Sequence, residues 1–432
     1  MTQTFTFVGM RKVARNLVSI LLFLTYAIVP VHAAYILLPM DMVQNNHLKA
    51  YGMAYWIISK GVEVDWLLNY RGGSFCCLYA QQIESECKIK GVRYEVIADG
   101  TYQNILQEIS SPEINMDVVK LEKTPKIAVY SPKAMQPWDD AVTLVLTYAE
   151  IPYDVIYDDE VLQGKLKDYD WLHLHHEDFT GQYGKFYAAY HTQQWYQDQV
   201  EELEGIAKRN GFAKVSQLKL AVAQQIRQFV FSGGFMFAMC SATDSYDIAL
   251  ASEQTDICDV MFDHDPPAPD AQNKLDFSQT FAFENFQLRS NPMEYEYSNI
   301  DANFGRNVQK ETDYFTLFEF SAKWDAIPTM LCQNHTKTIK GFMGQTTAFH
   351  KDKIKSQVLI MGQNKGANEA RYIHAEWGKG MWTFYGGHDP EDYQHLVGDP
   401  KTDLNLHPQS PGYRLILNNV LFPAARKKKQ KT

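Results

Sequence analysis

Hydrophobic and polar positions along the first third of the chain alternate in a way that predicts strands followed by helices. The predicted strands cover 35–39, 62–70, 92–98 and 116–121, and the predicted helices cover 47–59, 81–90 and 102–109. Strands that alternate with amphipathic helices of this length are typical of βαβ units and a parallel sheet. Lys123-Thr-Pro125 interrupts the pattern, so we expect an N-terminal α/β domain over 34–124.

A second alternating series follows the boundary. It predicts strands over 127–130, 153–157, 235–239, 358–361 and 381–385, and helices over 138–149, 215–230 and 413–421. Two stretches depart from the alternation: an aromatic helical one near 181–212 and one near 265–350 where short strand-like pieces dominate. We therefore expect a second parallel α/β domain over 125–425 that carries these two insertions.

The apolar segment 235–239 leads directly into Cys240, and helix-like sequence follows from Ser241. This is the pattern of a nucleophile elbow, a sharp turn that needs small residues two positions before and after the nucleophile. Ala238 and Ala242 occupy those positions. The helix amides would lower the pKa of the thiol. A cysteine buried in the core is the alternative interpretation.

Two other stretches carry candidate binding residues. His173, His175 and His176 follow Trp171 on a predicted strand and precede Glu177-Asp178. Histidine is the commonest metal ligand, but strand histidines are also often buried and hydrogen-bonded. Without a partner spacing such as HExxH we expect no metal here, and no other cofactor. Arg71-Gly-Gly-Ser74 lies where an α/β sheet places ligands, although a plain tight turn fits it better.

Composition narrows the partners. The 432 residues carry a formal net charge of −10, which argues against nucleic acid as the main partner. The basic run over 426–432 is typical of a solvated chain end. Aromatic residues reach 13%, enough for a binding surface or lid as well as a core.

Residues 1–33 have the pattern of a signal peptide. Arg11, Lys12 and Arg15 form a positive region, 17–29 is apolar, and 31–33 offers a small-residue cleavage site. We therefore expect a periplasmic or cell-envelope protein without a transmembrane segment after cleavage. All six cysteines lie beyond the leader, where some could pair; no CxxC motif supports a zinc finger. The sequence leaves the oligomeric state open.

The order of elements from about 126 to 422 resembles the class I glutamine amidotransferase-like fold, which is flavodoxin-like. That fold places a cysteine at an elbow after a central strand and a histidine after the last strand, positions that match Cys240 and His388 in Gly386-Gly-His-Asp-Pro-Glu391. The chain departs from the family at the elbow, where alanines replace glycines. It also has Pro390 where the family has its third triad residue, so the resemblance leaves Asp389 or Glu391 for that role.

Over nearly the whole mature chain the sequence also resembles exported bacterial proteins catalogued as asparagine synthetase B. The similar stretches are 64–74, 171–178 and 386–392. The ending 385–388 and the later 414–421 look like the trehalose-utilisation branch of the superfamily. Asparagine synthesis itself is not expected, because the chain lacks both the N-terminal cysteine and the ATP-binding Ser-Gly-Gly-x-Asp-Ser loop.

The resemblance and the residues together predict an exported cysteine hydrolase that acts on an amide or related acyl bond. Cys240 is the predicted nucleophile and His388 the predicted base, within hydrogen-bonding reach of each other and oriented by Asp389 or Glu391. The candidate substrate-binding residues are Arg71, His175, His176, Glu177 and Ser241. The alternative is a non-catalytic envelope protein that binds a sugar or peptide in the same cleft.

Overall fold

The computed structural model describes residues 34–133 and 136–425 and arranges them around two β-sheets. The predicted leader over 1–33 and the basic tail over 426–432 lie outside the described residues. No helix of the described ranges has the length and apolar character needed to span a membrane. All six cysteines are described, and none forms a disulfide.

The first sheet has the order β4-β1-β3-β2-β5. Its strands are β1 (Ala34–Leu38), β2 (Val64–Leu68), β3 (Ser74–Leu78), β4 (Glu95–Ala98) and β5 (Asp117–Leu121). The helices of this unit are α1 (His47–Ser59), α2 (Gln81–Lys90) and α3 (Asp99–Ser110). The three predicted helices and four predicted strands are therefore present.

The prediction of a parallel first sheet is wrong, because every pairing in it is antiparallel. The cause is β3, a strand that the pattern did not predict. Between β2 and β3 the residues Asn69, Arg71, Gly72 and Gly73 have φ values of 62°, 44°, 77° and 89°. This left-handed backbone reverses the chain at once, so β3 returns beside β2 without a crossover helix.

The second sheet has ten strands, in the order β11-β10-β13-β14-β15-β9-β8-β6-β7 with β12 beside β14. They are β6 (Ile127–Tyr130), β7 (Asp154–Ile156), β8 (Trp171–Leu174), β9 (Phe235–Met239), β10 (Tyr314–Leu317), β11 (Thr338–Lys340), β12 (Phe349–His350), β13 (Leu359–Asn364), β14 (Glu369–Trp377) and β15 (Gly380–Tyr385). Strands β7, β6, β8, β9 and β15 are parallel neighbours. The remaining strands form an antiparallel extension.

Nine helices surround this sheet within the described ranges: α4 (Ala141–Tyr148), α5 (Asp158–Leu162), α6 (Tyr187–Tyr190), α7 (Gln194–Arg209), α8 (Val215–Phe231), α9 (Asp244–Ala251), α10 (Val260–Asp263), α11 (Ala326–Leu331) and α12 (Pro411–Leu421). The aromatic insertion contains α6 and α7. The stretch near 265–350 holds only three short strands, β10 to β12, so it is less β-rich than predicted. Most of its backbone forms turns and short 3₁₀ segments instead.

The two units share one apolar core, and Arg414 of α12 joins them through buried hydrogen bonds. Its guanidinium donates to the carbonyl oxygen of Met40 at 2.9 Å, to the hydroxyl of Tyr51 at 3.2 Å, and to the carbonyl oxygen of Gly72. A charged group can be buried only when its donors are satisfied in this way. Arg414 therefore links the last helix of the second unit to the first unit through hydrogen bonds.

Close contact between α1 and the end of α4 predicts a destabilising effect of Gly52→Ala. A β-carbon on Gly52 would lie 1.9 Å from the carbonyl oxygen of Ala149, so the two helices must separate. We expect the free energy of unfolding to fall by about 1–3 kcal/mol in a urea titration. The matched control is Gly205→Ala in α7, where a β-carbon meets nothing within 4 Å. That change should raise stability by about 0.5–1 kcal/mol. Equal effects of the two substitutions would contradict the contact.

Candidate functional site

Cys240 occupies a strained turn between β9 and α9. All five residues of β9 are buried, and Cys240 has a φ of 52°, a left-handed conformation that costs a non-glycine residue about 1–3 kcal/mol. A 3₁₀ turn over Cys240–Ala242 then leads into α9. Ala238 and Ala242 are fully buried, as the predicted elbow requires. The local geometry is thus that of a strand, a tight turn and a helix with the sulfur at the turn.

Backbone N–H groups surround the sulfur. The amide of Gln345 donates to Cys240 Sγ at 3.3 Å, and the amides of Ser241 and Thr346 also act on it. Burial nevertheless raises the pKa of the Cys240 thiol to about 11, and these amides offset only part of that effect. The thiol is therefore protonated at neutral pH, which differs from the lowered pKa that the sequence predicted.

His388 follows β15 at the same edge of the sheet. The backbone N–H of His388 donates to the carbonyl oxygen of Met343 at 2.9 Å. The backbone N–H of Gly387 donates to the carbonyl oxygen of Thr346 at 2.8 Å. Two glycines make this close approach feasible. A β-carbon on Gly386 would lie 2.4 Å from the carbonyl oxygen of Thr347, and a β-carbon on Gly387 would lie 2.4 Å from the ring of Phe342.

The imidazole of His388 is the first member of a buried chain of polar groups. Its Nδ1 lies 2.7 Å from Nε2 of His175, and Nδ1 of His175 lies 3.2 Å from the carboxylate of Asp140. The same carboxylate lies 3.1 Å from Nε2 of His173. Burial by itself would raise the pKa of Asp140, but the two facing imidazoles outweigh it and hold that pKa well below its usual range.

Asp389 and Glu391 do not occupy the orienting position expected from the sequence. The carboxylate of Asp389 accepts from the N–H of Glu391 at 2.8 Å and from the hydroxyl of Thr402 at 2.7 Å. Glu391 pairs with His407 at 3.1 Å. Among the described contacts neither carboxylate bonds to His388. The carboxylate that reaches this imidazole, through His175, is that of Asp140, a residue that no sequence pattern indicated.

No hydrogen bond joins Cys240 to His388 within the described ranges, in contrast to the predicted direct pair. The parallel strands still bring them to one edge, because Met239 pairs with Tyr385 in register and each residue of interest follows soon after. The segment 343–347 spans the two positions, since its amides reach Cys240 Sγ and its carbonyl groups accept from 387–388. No sequence pattern indicated this segment, which lies in the irregular insertion.

Two more of the predicted binding residues lie beside this chain. The ring of His176 lies with its centroid 5.8 Å from that of His388 and 5.2 Å from that of Trp138. Glu177 accepts a hydrogen bond from the hydroxyl of Tyr157 at 3.1 Å, and burial raises its pKa to about 7. Below them Lys219 and Asp158 form a fully buried ion pair at 3.1 Å.

Ser241 and Arg71 differ in position. The hydroxyl of Ser241 is buried next to the nucleophile candidate and has no hydrogen-bond partner among the described residues. The guanidinium of Arg71 instead pairs with Asp41 at 2.8 Å and Glu95 at 3.0 Å within the first unit. The structure therefore assigns Arg71 a turn-stabilising contact and shows none with the Cys240 turn.

Aromatic rings of the insertion reach the imidazoles through Trp138. Trp138 contacts His176, and its centroid lies 5.3 Å from that of Phe186 and 5.2 Å from that of Trp195. Tyr190 lies 5.2 Å from Trp195. The predicted aromatic insertion is therefore attached to the site. We call these four residues, Trp138, Phe186, Tyr190 and Trp195, the aromatic cover.

Comparison with known proteins adds no assignment. No family model and no curated protein matches the chain. Two solved cytoplasmic proteins of Salmonella typhimurium, STM3548 and STM1381, align over 70% of this chain and 100% of their own, with 9% and 11% identity and TM-scores of 0.34 and 0.35. Gan42B, a GH42 beta-galactosidase from G. stearothermophilus, aligns over 62% of this chain and 28% of its own with 11% identity and a TM-score of 0.27. Likenesses of this size support neither a fold nor a function.

The raised pKa of Cys240 predicts slow alkylation at neutral pH. The rate constant for iodoacetamide at Cys240, followed by mass spectrometry of the peptide, should rise about tenfold for each pH unit and level off only near pH 11. A plateau below pH 8 would mean that the thiolate is stabilised far more than burial allows. Cys332, whose pKa burial also raises, provides an internal comparison on the same digest.

Asp244, at the start of α9, predicts a pH-dependent stability. It accepts from the hydroxyl of Thr346 at 2.8 Å, and burial raises its pKa from 3.8 to about 7. The folded chain therefore binds a proton that the unfolded chain has released, so its contribution to stability falls as pH rises from about 4 to 7. The slope should approach about 1.4 kcal/mol per pH unit and flatten in Asp244→Asn. Urea titrations at several pH values measure it; an unchanged slope would contradict the assignment.

Proposed function

We propose that this protein is a cysteine-dependent hydrolase of an amide or related acyl bond, with Cys240 as nucleophile. The observation that carries the proposal is the left-handed Cys240 elbow, in which backbone N–H groups point at the sulfur. The parallel strand order β7-β6-β8-β9-β15 supports a flavodoxin-like, class I glutamine amidotransferase-like second domain, in which ligands bind at the carboxyl edge. The leader predicted over 1–33 places the activity outside the cytoplasm in this proposal.

In the proposed reaction the thiol proton moves to His388 as Sγ attacks the carbonyl carbon of the substrate. The oxyanion that forms accepts hydrogen bonds from backbone N–H groups near the sulfur, for which Gln345 and Thr346 are the candidates. His388 returns the proton to the leaving amine, and the C–N bond breaks. Water then hydrolyses the thioester, which releases the acid and restores the thiol.

The chain His388–His175–Asp140 supports the base in this scheme. An imidazole that gains a proton at one nitrogen is stabilised when its other nitrogen faces an acceptor. His175 is that acceptor for His388, and Asp140 stabilises the positive charge that His175 shares. Because Cys240 and His388 are not hydrogen-bonded to each other, substrate binding must bring them together before proton transfer. The thiol is protonated in the free enzyme, before substrate binds.

A second candidate function is ligand binding without catalysis. The raised pKa of Cys240 and the missing contact to His388 favour it over a preformed catalytic pair. The aromatic cover would then offer flat apolar faces to a sugar ring or a peptide side chain. The two functions differ in one chemical property, which is whether Cys240 forms a covalent acyl intermediate.

The covalent intermediate can be tested without knowing the natural substrate. We expect p-nitrophenyl acetate to give a stoichiometric burst of p-nitrophenol and an acetyl group on Cys240, detected by intact-protein and peptide mass spectrometry. Cys240→Ala should show neither. His388→Gln should slow acetylation by roughly 10²–10⁴-fold, because a general base contributes that much.

Cys332→Ser is the matched control, since it removes a thiol outside the site and should keep the burst. Circular dichroism and thermal unfolding confirm that each variant is folded. Acetylation confined to lysines, or a burst that survives Cys240→Ala, would exclude the hydrolase and leave the binding function.

A further inference from the structure

Three imidazoles at the carboxyl ends of β8 and β15 lie close enough to share one ion. His175, His176 and His388 each offer a ring nitrogen, and the three nitrogens lie within 4.8 Å of one another. Three nitrogens on a tetrahedral zinc with bonds of about 2.0–2.1 Å are roughly 3.3 Å apart. The group is thus near a ligand arrangement, and its members follow the carboxyl ends of two strands of the parallel part of the sheet, β8 and β15.

The contacts behind these rings are those of metal-binding histidines. Such a histidine usually has its second nitrogen on a carboxylate, and Asp140 lies 3.2 Å from Nδ1 of His175. The Nδ1 atom of His176 is buried and has no hydrogen-bond partner among the described residues. Between His175 Nε2 and His388 Nδ1, at 2.7 Å, there must be one proton, and coordination of an ion by both nitrogens requires this proton to move to Nε2 of His388.

The charges around the cluster favour a cation. Asp140 faces His175 of the cluster and the neighbouring His173, and Asp139 lies 3.0 Å from His395, whose ring centroid lies 4.4 Å from that of His388. Asp392 lies 3.0 Å from the other ring nitrogen of His395, so three carboxylates lie beside the histidines at this end of the sheet.

We propose that His175, His176 and His388 form a binding site for a divalent transition-metal ion of the zinc type. Imidazole donors suit zinc, cobalt and nickel and give little affinity for magnesium or calcium. Cys240 is not part of the group, so the metal ligands are nitrogens alone. This proposal differs from the expectation of no metal, which rested on the lack of a linear motif. Here the third ligand lies 212 residues from the second (388 − 176).

The consequence of metal binding rests on the proposed function. An ion on Nδ1 of His388 would leave the ring proton on Nε2, so that nitrogen could not accept the thiol proton of Cys240. The metal-bound state is therefore an inactive state of the hydrolase, and zinc acts as an inhibitor. The binding site itself stands or falls independently of the hydrolase.

Cobalt spectroscopy of tag-free full-length protein tests the site. One equivalent of Co²⁺ should give visible d–d bands, without the near-ultraviolet charge-transfer band of a thiolate ligand, and Zn²⁺ should displace it. His176→Ala and His388→Ala should abolish the bands, and Asp140→Asn should weaken affinity by about 10–100-fold. His191→Ala is the matched control, because that histidine is exposed in the insertion and should leave the spectrum unchanged.

His176→Gln provides a second variant should the alanine protein not fold. No cobalt binding by the folded wild-type protein, binding that survives His176→Gln, or a thiolate band would overturn the site. The inhibitory role has its own readout: one equivalent of Zn²⁺ should suppress the p-nitrophenol burst of the wild-type protein, and EDTA should restore it. Cobalt bands with a burst that zinc leaves intact would retain the site and exclude the inhibition. If the wild-type protein gave no burst, the proposed hydrolase function would be excluded, and the proposed metal site would not be affected.

Discussion

Backbone hydrogen bonds from the segment 343–347 are the constraint on which the candidate site depends. This segment donates to Cys240 Sγ, accepts from the backbone of His388 and bonds through Thr346 to Asp244. The elbow is strained by its left-handed backbone, and such strain persists only where the surroundings fix it. An irregular insertion thus fixes the geometry of residues that lie on regular strands.

Burial explains the protonation states of the site. Cys240, His175 and His388 are buried, and burial favours the protonated thiol and the neutral imidazole over their ions. Charge appears only where a partner is at hand, as in Asp140 against His173 and His175. A ligand that enters such a site, whether an acyl substrate or a cation, would change the protonation states of these groups.

The sequence could predict features that depend on neighbours along the chain. The helix over 215–231 and the strand over 235–239 follow from local periodicity, and the elbow follows from small residues beside Cys240. The antiparallel pairing of the first sheet could not be predicted in this way, because the direction of its strands was decided by the left-handed backbone at Asn69 and Arg71. The roles of Asp140 and Gln345 were not predicted either. Asp140 contacts His175, 35 positions away (175 − 140), and Gln345 contacts Cys240, 105 positions away (345 − 240). Spacing along a sequence carries no information about such pairs.

One proton connects the three chemical states available to this site. In the free protein it lies between His175 and His388, whose nitrogens are 2.7 Å apart. In catalysis His388 would receive a second proton from the thiol, and Asp140 would compensate the resulting charge. In the metal-bound state this proton would have to move to Nε2 of His388, and the two nitrogens would have to separate to roughly 3.3 Å to hold the ion. The metal needs His388 to carry its proton on Nε2, whereas the proposed catalysis needs Nε2 free to accept the thiol proton, so His388 can serve one role or the other but not both at once.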